Sequence, residues 1–239
     1  GFSVSFGTVG LIFGYMLKKG KASNSTILLG ALGFLCGIVL IAFLSFIIMG
    51  INTFDMYFKI YEESLPTVMD IYKRLGLSGE QLEMLNKNWQ EVMNLIKQAL
   101  PSMLIVGSII ISSANYWIAH NILKRIKIDI PPISISDLRF PPVTILGFFL
   151  SFTLTAIGMN NPKSFSYQLG INLQVIFNVL FLLAGLLVIN FWLSRWGLPK
   201  FARVILFILI IFQPIFSMIA TWLGVFDTIF KLRKTEENI

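Results

Sequence analysis

ILLGALGFLCGIVLIAFLSFIIMGI, residues 27–51, runs for twenty-five positions without an Asp, Glu, Lys or Arg. As a helix rising 1.5 Å per residue it is ~37 Å long, enough to cross the ~30 Å hydrocarbon core of a bilayer. A membrane barrel strand needs only about 10 residues and alternates in polarity. Backbone groups in lipid must also satisfy one another within the segment, which leaves the α-helix. Residues 100–123, 142–159, 169–193 and 204–226 read in the same way, and residues 2–17 form a shorter sixth run. None of the six holds a formal charge; every charge lies in a connection or a tail. The expectation is an all-α, polytopic transmembrane bundle with about six spans.

Composition agrees over the whole chain. Of 239 residues, 56% are hydrophobic and 13% charged, with a mean hydropathy of +0.78. Soluble domains carry about 25% charged residues, and a soluble core of this size could not hide 22 Phe beside so much Leu and Ile. A soluble enzyme, a disordered chain and a secreted disulfide scaffold are excluded. Cys36 is the one cysteine and His120 the one histidine, so neither an internal disulfide nor a multi-histidine metal site exists. The net charge of +7 speaks for loops on an anionic membrane face, with no nucleic-acid partner. The chain starts at Gly1 already apolar, with no charged n-region or cleavage site. The expectation is a missing upstream stretch, not a signal peptide.

The basic residues give an orientation. Lys18, Lys19 and Lys21, then Lys124, Arg125, Lys127 and Arg139, then Arg195, Lys200 and Arg203 alternate with connections that are nearly neutral or hold as many acids as bases or more. These ten of nineteen Lys/Arg mark the expected cytoplasmic side of a bacterial cell membrane. The tail from Asp227 then falls outside by alternation, unless a last helix broken at Gln213-Pro214 turns back; its side stays open.

Residues 52–98 are expected as an extracytoplasmic amphipathic cap. Ser78 and Gln81 form a capping box. Leu82, Leu85, Trp89, Val92, Met93 and Ile96 follow at helical spacing, and Phe54, Tyr57, Phe58, Tyr61, Leu65 and Val68 precede it. Such helices either pack as a plain cap or cover a site as a lid.

Gly7, Gly10 and Gly14 in the first run repeat as Gly30, Gly33 and Gly37 in the second. Small residues let membrane helices approach closely, either against each other or against a partner subunit. Asn115, Asn172, Gln174, Asn178 and Gln213 are the candidates for a neutral or zwitterionic ligand; the plain alternative is amide bonds between helices. Trp117, Trp192, Trp196 and Trp222 fit an interfacial belt, and His120 an interfacial helix end. No nucleotide, zinc or serine-hydrolase motif occurs, so no enzyme activity, cofactor or metal is expected.

One linear order carries a resemblance. It runs from Pro131-Pro132 through Asp137-Leu138-Arg139-Phe140-Pro141 to Leu169-Gly170-Ile171-Asn172-Leu173 and then Leu183-Ala184-Gly185. It continues with Arg195-Trp196-Gly197-Leu198-Pro199 and closes with Leu223-Gly224-Val225-Phe226-Asp227 and Phe230-Lys231-Leu232-Arg233-Lys234. This resembles the YybS-like family of bacterial multi-pass membrane proteins, itself similar to the S components of energy-coupling-factor transporters. The resemblance implies a bundle that binds a small molecule and hands it to a partner module. It makes Asp227 and Arg233 the closing motif, which either pair or anchor the helix at the head groups. The leading expectation is a non-catalytic, substrate-binding transport subunit. The alternative is a membrane scaffold that recruits a signalling or envelope partner.

Overall fold

A computed structural model describes residues 2–133 and 138–233, with eight helices and no strand among them. Asp137 and Lys234 of the motif, with the acids Glu236 and Glu237 of the tail, lie outside the described residues. Three helices are long and apolar enough to cross a membrane, Ser23–Met49, Gly79–Arg125 and Phe165–Arg195. A fourth span exists only if Lys200–Phe212 and Pro214–Phe230, bent by 103° at their junction, count as one. The remaining apolar runs form helices of 17 and 16 residues, ~24–26 Å each. An apolar run sets composition, but caps and turns set helix length. The about six spans therefore resolve into three clear ones and shorter pieces.

The chain folds as two compact units. The first holds α1 (Phe2–Lys18), α2 (Ser23–Met49), α3 (Thr53–Arg74) and most of α4 (Gly79–Arg125). Val9, Phe13 and Met16 of α1 are buried with Ile27, Ala31 and Phe34 of α2 and Tyr116 of α4. The Phe13 and Tyr116 rings meet edge to face at 5.6 Å. The Ser112 hydroxyl donates to the Ile27 carbonyl at 2.7 Å, and Tyr116 Oη donates to the Pro131 carbonyl at 2.7 Å.

Residues 52–98 form α3 and the first part of α4. The Ser78–Gln81 box is present, Ser78 N donating to Gln81 Oε1 at 2.9 Å, but the helix it starts does not stop where the apolar run begins. It continues through Pro101 to Arg125, 47 residues or ~70 Å. Nothing at Leu100 ends a helix: proline costs one hydrogen bond and bends the ladder, and a long helix absorbs that.

The second unit comprises residues 101–106 of α4 and the chain from 133 onward. It contains α5 (Val143–Gly158), α6 (Phe165–Arg195), α7 (Lys200–Phe212) and α8 (Pro214–Phe230). α6 is its spine. α5 runs antiparallel along the N-terminal half, with Gly147 against Phe177, Gly170 against Ser151 and Thr155, and Gly158 against Tyr167. α8 runs antiparallel along the C-terminal half. There Gly185 faces the Ala220 carbonyl and Gly224 faces the Phe181 carbonyl so closely that neither site has room for a Cβ. Phe148, Phe181 and Val225 form the core where the three helices meet.

Candidate functional site

The span amides come first, because the sequence marked them. Asn172 Oδ1 accepts the backbone N–H of Ser102 at 2.9 Å, and its Nδ2 donates to the Gln168 carbonyl at 2.8 Å. Ser102 follows Pro101, whose ring disturbs the normal ladder, so Asn172 takes a backbone donor next to the proline. Gln174 Nε2 donates to Thr155 Oγ1 at 3.0 Å, tying α6 to α5. Asn115 Nδ2 donates to the Ile111 carbonyl of its own helix at 2.9 Å. Asn178 is exposed, and Gln213 is exposed at the α7–α8 corner, where its backbone caps both helices. Asn172 and Gln174 bond between helices, and Asn115 bonds within one.

The glycine sets behave asymmetrically. On α2, Gly30 lies against Phe13 and Ser112, Gly33 against Ile12 and Thr8, and Gly37 against Ser5. On α1, Gly7, Gly10 and Gly14 have open space where a Cβ would point. The sets therefore do not pack on each other. Offsets of three and seven put α1's glycines on one face, while Ser5, Val9, Phe13 and Met16 fill the face turned to the unit's interior. Two adjoining apolar grooves of about 440 and 310 Å³ run between α1 and α2, sharing Leu11, Ile12, Gly33 and Cys36.

The closing motif is a buried knot. A spacing of six does not put two residues on one helical face, so Asp227 and Arg233 can meet only if α8 ends between them. Lys231 ends it with a left-handed backbone, φ 51°. The chain then curls back. Arg233 Nη2 and Nε reach Asp227 Oδ2 at 2.7 and 2.9 Å, and Arg233 N donates to Asp227 Oδ1 at 3.2 Å. Arg233 Nη2 also donates to the Leu138 carbonyl at 2.7 Å, and Arg139 Nη2 donates to the Arg233 carbonyl at 3.1 Å. The two charged side chains are 6% and 7% exposed. Between the pairing and anchoring readings of the motif, the geometry is a pair. Neither residue lies in one of the apolar runs, yet folding sets the pair beside the middle of α6. Asp227 is one turn beyond Gly224, which abuts Phe181, near the midpoint of this 31-residue helix. The linear sequence hides this because α8 starts beside the far end of α6 and is only 17 residues long.

A fourth place was marked only as a possible lid. α3 and α4 face each other through half-buried Phe58 and Leu65 on one side and Trp89 and Met93 on the other, while Tyr57, Tyr61 and Val92 of the expected stripes are exposed. Lys97 Nζ pairs with Glu62 Oε1 at 2.8 Å and lies 5.2 Å from the centre of the Phe58 ring. Beside them opens a groove of about 400 Å³ that Trp89, Gln90 and Asn94 help to line. Trp89 Nε1 is sealed from water with no hydrogen-bond partner. Unlike the α1–α2 grooves, this one carries both signs of charge. Among the described residues, no three His, Cys, Asp or Glu side chains form a metal-sized cluster.

A family model described as "Predicted membrane protein (DUF2232)" matches residues 2–228. The chain is similar to the "Uncharacterized protein YybS" of Bacillus subtilis (strain 168), 28% identical over 225 residues. That match covers 94% of this chain and 72% of the relative. No solved structure matches.

Proposed function

Because the chain belongs to the DUF2232 family of membrane proteins, we propose that it acts by binding rather than by chemistry. It is a non-catalytic ligand-binding subunit of a bacterial cytoplasmic membrane, comparable in role to a transporter's S component. The binding place is the α3–α4 groove, not the span amides, since Asn172 and Gln174 are already bonded between helices. One observation carries this reading. Glu62 and Lys97, an ion pair of opposite charges, flank a groove open to solvent that Trp89 helps to line. A small zwitterion fits that chemistry. Its carboxylate exchanges for Glu62 at Lys97, while its ammonium exchanges for Lys97 at Glu62. Phe58 and Trp89 offer faces to the same cation. The exchange replaces one exposed ion pair by two, so the ligand neither strands a charge nor needs a deep pocket.

Calorimetric titration of the full chain in lipid nanodiscs with glycine, L-alanine and glycine betaine tests this. Saturable heat lost in both Lys97→Gln and Glu62→Gln supports the site. Silence with every probe, or binding indifferent to both variants, overturns it.

The scaffold reading keeps a second observation of its own, the open Gly7/Gly10/Gly14 face beside the apolar α1–α2 grooves. A transmembrane helix of a partner fits such a surface. Leucine at Gly10 would then release a co-purifying membrane protein without changing the zwitterion titration.

A further inference from the structure

α6 ends at Arg195, and after the turn at residues 196–199 α7 begins at Lys200. Arg203, one turn into α7, reaches back so that Nη1 donates to Asn190 Oδ1 on α6 at 2.9 Å. Its Nε is sealed from water and has no hydrogen-bond partner. The guanidinium is thus partly desolvated against a neutral amide, an arrangement that calls for an anion. The chain nearby supplies none: from Leu138 to Phe226 there is no Asp or Glu. Asp227 is the one acid among the described residues of this unit, and Arg233 holds it. Lys200 adds a second cation three residues away. α7 starts without a side-chain cap, so the positive end of its dipole faces the same turn.

The place on the fold says what kind of anion. The turn closes one end of α6, a helix long and apolar enough to span a bilayer. Trp196 and Phe201 beside it are 73% and 77% exposed, as aromatic residues at head-group level are. We propose that the α6–α7 turn is a binding site for the phosphate of an anionic phospholipid head group, with Arg203 as the forked donor and Lys200 as the point charge. Arginine suits the role because its planar fork meets two phosphate oxygens at once. The acyl chains then lie along the exposed apolar flank of α7, where no residue is buried.

Native mass spectrometry of the full chain from nanodiscs of phosphatidylcholine with a minor share of phosphatidylglycerol reads the site directly. Retained phosphatidylglycerol should exceed its share in the disc and fall roughly ten-fold in Lys200→Gln/Arg203→Gln. It should persist in Lys163→Gln, which removes the cation before the opposite end of α6. Arg203→Lys keeps the charge and loses the fork, so partial loss there points to the site without relying on the double variant to fold. Equal retention in wild type and both Arg203 variants overturns the proposal. So does equal loss in Lys163→Gln, which would mean general electrostatics. Displacement by millimolar inorganic phosphate would also overturn it, because the site would then take a soluble anion.

Discussion

Asp227 and Arg233 show how much a single turn residue can decide. With Lys231 left-handed, the acid's two oxygens accept three contacts from Arg233, and Nη2 also donates to the Leu138 carbonyl. A buried pair satisfied in this way adds little relative to an apolar pair, but removing one partner strands the other charge. That costs about 3–5 kcal/mol. Arg233→Leu and Asp227→Leu should each lower thermal stability in detergent by that amount, whereas the double variant should recover much of it. An additive loss in the double variant would mean that the pair is not a unit. Asn172→Ala should cost less, about 0.6–2 kcal/mol, by giving up its bonds to Ser102 N and the Gln168 carbonyl. It should leave zwitterion binding intact; loss of binding with full stability would return the span amides to the site.

At the scale of elements, α4 and the α6–α8 crossing make different demands on sequence. α4 passes through Pro101 without ending, so spin labels at Glu80 and Asn121 should lie about 60 Å apart in one narrow distribution. A broad or much shorter distribution would mean a hinge at Pro101. The α6–α8 crossing depends on the missing side chains of Gly185 and Gly224, each set against a carbonyl of the other helix. Leucine at Gly224 should abolish folding, since backbone cannot yield as a flexible side chain can. Leucine at Gly10 meets open space and should leave the melting temperature unchanged. Both positions look alike as glycines in apolar runs; only packing tells them apart.

At the scale of the whole molecule, the knot ties the end of α8 to the entry of α5. Arg233 touches Leu138 and Arg139, so the end of α8 and the entry to α5 share a level. In a Cys36→Ser background, Pro141→Cys and Lys231→Cys should react with an impermeant thiol reagent from the same side of sealed vesicles. Labelling from opposite sides would refute the shared placement. Much of this protein was legible without coordinates. Residues 27–51 and 169–193 announce membrane helices because lipid leaves the backbone no alternative. Ser78 and Gln81 announce a helix start because their bonds are local, and Gln213-Pro214 announces the corner that α7 and α8 turn by 103°. The candidate site was far less legible. Amides along a span look like ligands until Ser102 and Thr155 are found to hold them. Glu62 and Lys97 look like surface charges until a hairpin of helices brings them within 2.8 Å. Composition, periodicity and capping act within a few residues of chain, so the sequence alone determined the solvent, the helical class and the start of α4. Partners for Asn172, Gln174 and Gly224 lie on other helices, and only the tertiary structure decided them, because an apolar solvent accepts many helix pairings and close packing selects one.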